Sequence, residues 1–281
     1  MFAHEGEFSV KRMCQALGVG RSGYYAWRKR GTSRRERENQ ALVKQIEAVH
    51  QSSRQTYGSP RIHNELKQKG IACSKNRVAR LMRRHGIVGT APKKRHPVTT
   101  QRQPGACAAP NLLNRDFSAD APNQKWVTDI TYIDTAEGWL YLALVLDLFS
   151  RQVVGWAMAD HMETSLVEDA LRMALARRHP SPGWMHHSDQ GKQYTSHAYQ
   201  NHLSAHHCQV SMSRVGDCYD NATMESFIAT LKKECAYGQF ATQAQARTTI
   251  FEYIEVWYNR QRLHSSLGYL SPVKFEQISG H

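Results

Sequence analysis

The spacing of hydrophobic residues changes once along the chain, and this change limits the fold more than any other feature. In the N-terminal part, apolar side chains recur every three or four residues, as at Val10, Met13 and Leu17, which is typical of amphipathic helices. From Trp126 onward, apolar and polar residues alternate in segments rich in β-branched and aromatic side chains, which is typical of strands. The sequence therefore predicts an all-α N-terminal region followed by an α/β region.

The α/β region is predicted to contain a mixed sheet flanked by helices. Three consecutive strand patterns, at 125–134, 139–149 and 151–159, are joined by short turns, which favours antiparallel pairing. Helical and shorter strand patterns then alternate at 164–178, 184–188, 196–206 and 209–213, and a further helix is opened by Asp220-Asn221. This order of elements predicts helices on both faces of the sheet.

The net charge is divided unevenly between the two regions. The chain has 37 Lys and Arg against 24 Asp and Glu, a formal net charge of +13. Residues 1–122 carry 24 basic and 8 acidic residues, whereas residues 123–281 carry 13 and 16, so the basic excess belongs to the first part. The segment 91–122 is rich in Pro, Ala, Asn and Gln. We predict a helical region at 1–90, a basic flexible linker at 91–122 and an α/β domain at 123–281.

No membrane partner is expected. The longest apolar run, Trp139 to Phe149, has 11 residues and contains Asp147, whereas a transmembrane helix needs about 20 apolar residues. The first ten residues include Glu5 and Glu7 and lack the apolar core of a secretory signal. We expect a cytoplasmic protein, and the basic excess favours an anionic polymer as its partner.

Two helix patterns in the basic region resemble a helix-turn-helix. The first begins at Ser59-Pro60 and stops at Gly70, and the second is capped by Ser74 and closed by Gly86. The second helix is rich in arginine, which favours contact with the major groove of double-stranded DNA. An ordinary helical pair with a solvated basic face is the alternative. The candidate DNA contacts are Arg77, Arg80, Arg83 and Arg84, and a second basic run consists of Arg28, Lys29 and Arg30.

Three acidic residues in the α/β region are candidate metal ligands. Asp129 lies inside a strand pattern, Asp189 follows the fourth strand pattern, and Glu225 lies in the first turn of a helix. Strand ends and helix starts meet at the edge of an α/β sheet, so these carboxylates can converge. Converging carboxylates without His or Cys bind Mg²⁺ or Mn²⁺, and two such ions serve phosphodiester chemistry. Taken alone, Asp189 or Glu225 would be interpreted as a surface or capping carboxylate. Paired carboxylates also serve glycoside hydrolysis, but that alternative leaves the basic region unexplained.

The spacing and the surrounding residues resemble a known family. Thirty-five residues separate Asp189 from Glu225, as in the D,D(35)E pattern of DDE transposases and retroviral integrases. The segments KWVTDITYI, HSDQGKQYTS, CYDNATMESF and YNRQRLHSSLGYLSP resemble the OrfB-type transposase of the IS-three insertion-sequence family, as do GRSGYYAWRKR and YGSPRIHNELK in the basic region. The resemblance covers nearly the whole chain.

The resemblance implies an RNase H-like fold and a metal-dependent transposase. Asp129, Asp189 and Glu225 would hold Mg²⁺ or Mn²⁺, with two ions per active site, and Lys232 would contact the transposon end. Hydrolysis would nick that end, and the exposed 3′-hydroxyl would attack another phosphodiester, first joining the ends of the element into a circle. The protein would act as a homo-oligomer on DNA, associated with the bacterial nucleoid, alone or with an upstream-frame A product or fusion.

Some residues near the acids are assigned supporting roles. Asp147 and Arg151 match positions of the family, and we expect them to form a structural ion pair at a strand turn. His187, Gln193, Tyr194 and Asn221 are expected to shape the surroundings of the acids, whereas Trp126 and Trp257 are expected in the core. Two rival functions remain at this point: a nuclease of the same fold that cuts without joining, and a non-catalytic DNA-binding regulator.

Overall fold

The structure is a computed structural model that describes residues 1–90, 109–214 and 217–279. The chain divides into two compact units, Met1–Gly89 and Thr90–His281. In the described residues, no helix is both long enough and apolar enough to cross a membrane.

The N-terminal unit is helical, as its periodicity predicts. Ser9 and Ser74 cap their helices by accepting hydrogen bonds from the backbone N–H groups of Arg12 and Arg77. The buried faces of the third to fifth helices pack together through Ile46, Ile62 and Val78, each of which is fully buried. The described helices are α1 (Val10–Ala16), α2 (Arg21–Lys29), α3 (Arg34–Ser52), α4 (Ser59–Gln68) and α5 (Lys75–Arg84).

The C-terminal unit contains a five-stranded mixed sheet in the described residues. The strand order is β3-β2-β1-β4-β5: the first three strands are antiparallel, and β4 runs parallel to both β1 and β5. The strands are β1 (Lys125–Thr135), β2 (Gly138–Asp147), β3 (Val153–Ala159), β4 (Met185–Ser188) and β5 (Gln209–Met212). The mixed sheet and its antiparallel start confirm the predicted fold class.

Helices flank this sheet and bury its apolar residues. Helix α6 lies so close to β3 that a Cβ on Gly155 would be 2.2 Å from the carbonyl oxygen of Ala170, so only glycine fits there. Trp126 is fully buried in the main core, and Trp257 is also buried. The helices are α6 (Thr164–Arg178), α7 (His197–Ala205), α8 (Ala222–Glu234), α9 (Gln243–Phe251), which continues as a π-helical segment (Glu252–Tyr258), and α10 (Pro272–Ser279).

The second half of the predicted flexible linker is packed against the C-terminal unit. Leu113 is buried, and the hydroxyl of Ser211 accepts hydrogen bonds from the backbone N–H groups of Leu112 and Leu113 at 2.9 and 3.0 Å. The prediction of a flexible linker is therefore wrong for residues 109–122, because a single apolar anchor and backbone hydrogen bonds hold a segment that has no periodicity. Residues 91–108 lie outside the described residues. We call residues 109–117 the strap.

Candidate active site

Asp129 lies in the middle of β1, opposite Leu144 of β2. Pairing between β1 and β4 ends at Val127, so this carboxylate stands where the two parallel strands separate. The side chain is half-buried, and its Oδ1 atom accepts a hydrogen bond from the backbone N–H of Ile130 at 2.8 Å. Asp129 therefore lies on the central strand, next to the core, at the point where the sheet opens between β1 and β4.

Asp189 follows the last residue of β4. His187 pairs with Val127 in the parallel register, so two further residues along each strand bring Asp189 to the level of Asp129. Its Oδ1 atom accepts a hydrogen bond from the backbone N–H of Gly191 at 2.9 Å, and a Cβ on that glycine would come within 3.0 Å of the same oxygen. The tight turn after β4 therefore fixes the direction of this carboxylate.

Glu225 lies in the first turn of α8 and is exposed. The helix packs against β1, with Met224, Phe227 and Leu231 buried on its inner side. A carboxylate in the first turn of a helix is favoured by the helix dipole. Packing of α8 thus carries the third acid to the face of the sheet that holds Asp129.

The three acids share one electrostatic environment. The pKa of Asp129 is raised to about 8, first by burial, then by the charge of Asp189, and to a smaller extent by Glu225. The backbone hydrogen bond from Ile130 and the charge of Lys232 oppose this rise. Within residues 1–90, 109–214 and 217–279, no three His, Cys, Asp or Glu side chains are close enough to form a ready-made metal site. The acids are therefore neighbours without forming a closed cage.

Lys232 lies on the same helix as Glu225, two turns further on. Its Nζ atom sits 4.3 Å above the centre of the Tyr132 ring, a cation–π contact that holds the side chain against β1. Burial lowers the pKa of this lysine, and the charge of Asp129 opposes the decrease. The structure thus places a cation beside the acids.

The four polar residues that we expect to shape the surroundings of the acids have specific hydrogen-bond partners or contacts. Tyr194 is buried, and its hydroxyl lies 3.4 Å from the hydroxyl of Thr128. Asn221 is also buried and donates to the backbone oxygen of Thr128 at 3.0 Å, whereas its Oδ1 atom has no hydrogen-bond partner in the described residues. The ring of His187 bridges the hydroxyls of Ser211 and Ser213, at 2.8 and 3.0 Å. Gln193 donates to the backbone oxygen of Met162 at 2.8 Å.

The expected ion pair between Asp147 and Arg151 is wrong. Asp147 is fully buried and accepts hydrogen bonds from its own turn, from Asn123 and from the indole of Trp126, and its cationic neighbour is Arg178 at 3.9 Å. Arg151 has a positive φ of 59° and instead donates to the backbone oxygen of Phe117 at 3.0 Å. Asp147 and Arg151 are close in sequence, but the geometry of the turn directs their side chains to different partners.

Asp220 has a role that the sequence did not suggest. The prediction that it opens α8 is correct in position, but its side chain does not cap the helix. The carboxylate is fully buried and accepts hydrogen bonds from Asn111 and Arg115 of the strap and from Arg214 of the loop before α8. The guanidinium of Arg214 holds the pKa of this carboxyl well below its usual range. Only the three-dimensional fold brings the strap to this residue, so no local pattern could reveal it.

The predicted DNA-contact arginines of α5 differ in their partners. Arg77 donates to the side chain of Asn39 at 3.0 Å, and Arg84 lies 3.6 Å from a carboxylate oxygen of Glu36. Arg80 and Arg83 are exposed and form no ion pair in the part of the chain that the structure describes. In the other basic run, Arg28 is paired with Glu5 at 2.9 Å, whereas Lys29 and Arg30 are exposed.

Comparison with known proteins agrees with this geometry. Models of the integrase core domain match residues 119–218 and 206–272, and a model of an HTH-like domain matches residues 36–95, which include α4 and α5. The chain is 46% identical over 276 residues to "Transposase InsF for insertion sequence IS3A" of Escherichia coli (strain K12), covering 97% of this chain and 96% of that protein. The chain belongs to the IS-three (IS3) family of insertion-sequence transposases.

Other similarities extend beyond that relative. An uncharacterized 31 kDa protein of insertion element IS600 from Shigella sonnei is 43% identical over 266 residues, covering 94% of this chain and 97% of that protein. Among solved structures, the HTLV-2 integrase catalytic core domain in complex with magnesium aligns with a TM-score of 0.42 and 14% identity, over 56% of this chain and 97% of that one. Membership of the IS3 family makes the protein a transposase, an enzyme that acts on DNA through an integrase core.

Proposed function

We propose that the protein cuts DNA and transfers the cut strand at a divalent-metal site formed by Asp129, Asp189 and Glu225. The observation that carries this proposal is the geometry of the acids: Asp189 follows β4 at the level of Asp129, where β1 and β4 separate, and the charges of Asp189 and Glu225 both act on Asp129. Acids from a strand, a turn and a helix influence one another only when the fold brings them together. Repulsion between the carboxylates favours binding of a cation, because the positive charge offsets the repulsion.

The residues around the acids fit Mg²⁺ or Mn²⁺. The candidate ligands are carboxylate oxygens, which these hard cations prefer, and Asn221 adds a buried Oδ1 atom without a protein partner in the described residues. We propose two ions per site, held by Asp129, Asp189 and Glu225. When bound, such ions activate an attacking oxygen and stabilise the leaving oxygen of a phosphodiester.

The protein's own groups position the DNA and control protons. Below about pH 8 Asp129 carries a proton, which must leave before the carboxylate can act as a ligand. Lys232, held over Tyr132, supplies a positive charge beside the acids and contacts a phosphate of the transposon end. We assign cleavage by water, followed by attack of the free 3′-hydroxyl on a second phosphodiester, which first joins the ends into a circle.

The basic residues of the N-terminal unit hold the DNA. We assign the contacts to Arg77, Arg80, Arg83, Arg84, Arg28, Lys29 and Arg30, with the HTH-like segment as the main reader. We further propose a homo-oligomer on DNA, with or without an upstream-frame A product, acting on the nucleoid in the bacterial cytoplasm.

The proposal is tested by replacing Asp129 with Asn. We expect Asp129→Asn to abolish cleavage and joining of labelled end DNA in Mg²⁺ while DNA affinity, measured by fluorescence anisotropy, stays within about twofold, because few phosphate contacts change. Asp134→Asn is the matched control, since Asp134 is an exposed acid on the same strand. Mg²⁺-dependent strand transfer by Asp129→Asn would refute the assignment.

The same assay separates the rival functions. A nuclease of the same fold releases cut strands without forming joined products. A non-catalytic regulator binds the ends but yields neither product, and its behaviour does not change when Mg²⁺ is chelated.

A further inference from the structure

A cavity of about 300 Å³ lies beside the outer face of α8 and carries a net positive charge. It is bordered by the end of β2, the first two turns of α8 and the segment that follows the π-helical residues. The polar residues that line it include Arg151, Thr223, Ser226, Thr230, Arg262 and His264. The first turn of α8 thus contributes Glu225 to the acids and Thr223 to the cavity.

Arg151 is the residue that gives this cavity its charge. Its guanidinium is half-buried, donates to the backbone oxygen of Phe117 at 3.0 Å and lies 3.5 Å from the hydroxyl of Thr223. No carboxylate in the described ranges lies within ion-pair distance of it, because Asp147 is occupied by its own turn, by Asn123 and by Trp126. Burial lowers the pKa of Arg151, and the charges of Tyr258 and Asp147 oppose this decrease.

The second arginine of the cavity is already neutralised. Arg262 forms two hydrogen bonds with the carboxylate of Glu234, at 2.7 and 2.8 Å, and both side chains are almost completely buried. In the cavity, the half-buried guanidinium of Arg151 therefore has no paired carboxylate among the described residues, and several hydroxyl groups surround it. A tetrahedral anion satisfies this set, since a guanidinium donates to two of its oxygens and hydroxyls reach the others.

We propose that this cavity binds a backbone phosphate of the DNA strand on which the Asp129, Asp189 and Glu225 site acts. The inference rests on the proposed function, because it takes DNA as the source of the phosphate. A phosphate held by Arg151 and Thr223 fixes the strand at the first turn of α8, and the same turn carries Glu225 on the other side of the helix. Arg151 is thus a DNA-positioning residue and does not touch the bond that is cut.

The test measures how DNA affinity depends on salt for the full-length chain, with EDTA present so that no cleavage occurs. Arg151→Gln removes the cation. Thr223→Asp keeps Arg151 and places a carboxylate where the hydroxyl lies 3.5 Å from the guanidinium. Thr223→Asn removes the same hydroxyl without adding a charge. Thr248→Asp adds the same charge at an exposed residue of α9 that does not line the cavity.

Removal of one bound phosphate lowers the slope of log affinity against log salt by about 0.9, equivalent to about eightfold weaker binding at 0.1 M salt. We expect this change for Arg151→Gln and for Thr223→Asp, only part of it for Thr223→Asn, and none for Thr248→Asp.

Thr223→Asp should also raise the Tm, because the new acid pairs with Arg151, so weaker binding cannot be attributed to unfolding. Failure of the transposase assignment is seen separately, as absence of Mg²⁺-dependent cleavage by the unmodified chain. Wild-type slopes for both Arg151→Gln and Thr223→Asp would overturn the phosphate site.

Discussion

In the proposed metal site, Asp129 links cation binding to protons. In the folded chain its pKa is about 8, far above the ordinary value of an aspartate, because the side chain is buried next to two other acids. The folded, metal-free protein therefore binds more protons than the unfolded chain between about pH 4 and pH 8, so its stability decreases as the pH rises through that range. Binding of a divalent cation reverses this, since the cation replaces the proton.

We expect Mg²⁺ binding to release close to one proton per site at pH 7, and Mg²⁺ affinity to increase with pH up to about 8. Calorimetric titrations in two buffers of different ionisation enthalpy measure the released proton directly. Asp129→Asn should release none, and its metal-free Tm should fall less than that of the wild type between about pH 5 and pH 8. Equal heats in both buffers for the wild type would contradict the raised pKa.

Individual residues differ in how far the sequence revealed them. The three acids could be singled out because their positions inside a strand, directly after a strand and in the first turn of a helix, together with the spacing of the last two, are local properties. The roles of Asp220 and Arg151 could not be predicted. Asp220 depends on partners about 100 residues away in the sequence, and Arg151 matters because no carboxylate in the described residues pairs with it. The failed pair of Asp147 and Arg151 illustrates the limit: neighbours in sequence diverge when one residue adopts a positive φ.

At the level of elements, the arginines of α5 differ in how freely they could contact DNA. Arg80 and Arg83 are exposed, whereas Arg77 is held by Asn39. We expect the double variant Arg80→Gln/Arg83→Gln to reduce the salt slope of DNA binding by about two, one for each phosphate that is no longer bound. Arg77→Gln, on the same helix, should reduce it by less than one. If anisotropy titrations show a larger loss of salt slope for Arg77→Gln than for the double variant, the helix contacts DNA through another face.

The strap and the loop before α8 are joined through Asp220. Because paired guanidinium groups hold its pKa well below the usual range, this residue stabilises the fold above about pH 4 and loses that effect as the pH falls further. We expect Asp220→Asn to lower the Tm at pH 7 by roughly 4–8 °C, the equivalent of about 2 kcal/mol in a unit of this size. Its Tm should also decline less steeply than that of the wild type in acid. Asp217→Asn is the control, because Asp217 is less buried and lies in the same loop.

Strands and helices were predicted more accurately than the connections between them. All five strands and the helices from α3 to α8 follow from periodicity, because each buries one regular face. The packing of residues 109–122 could not be predicted from periodicity. Buried Leu113 and two backbone N–H groups hold the strap, and neither feature produces a repeating sequence pattern.

At the level of the whole molecule, the chain has two compact units, one basic and one carrying the acids. We expect thermal unfolding to show two transitions, of which Mg²⁺ raises only that of the C-terminal unit, by roughly 5–10 °C at a hundredfold excess over its Kd. Asp129→Asn should remove this increase and leave the other transition in place. A single transition that shifts as a whole with Mg²⁺ would show that the two units unfold together.

The buried pair of Glu234 and Arg262 makes the docking of α8 depend on a later segment of the chain. Glu234 ends the helix that carries Glu225, and its cation lies 28 residues further along the chain. Until that arginine has been synthesised, docking of α8 leaves a buried carboxylate unpaired, which costs several kcal/mol. We therefore expect a chain that ends before Arg262 to dock α8, and with it Glu225, less stably than the full-length chain does.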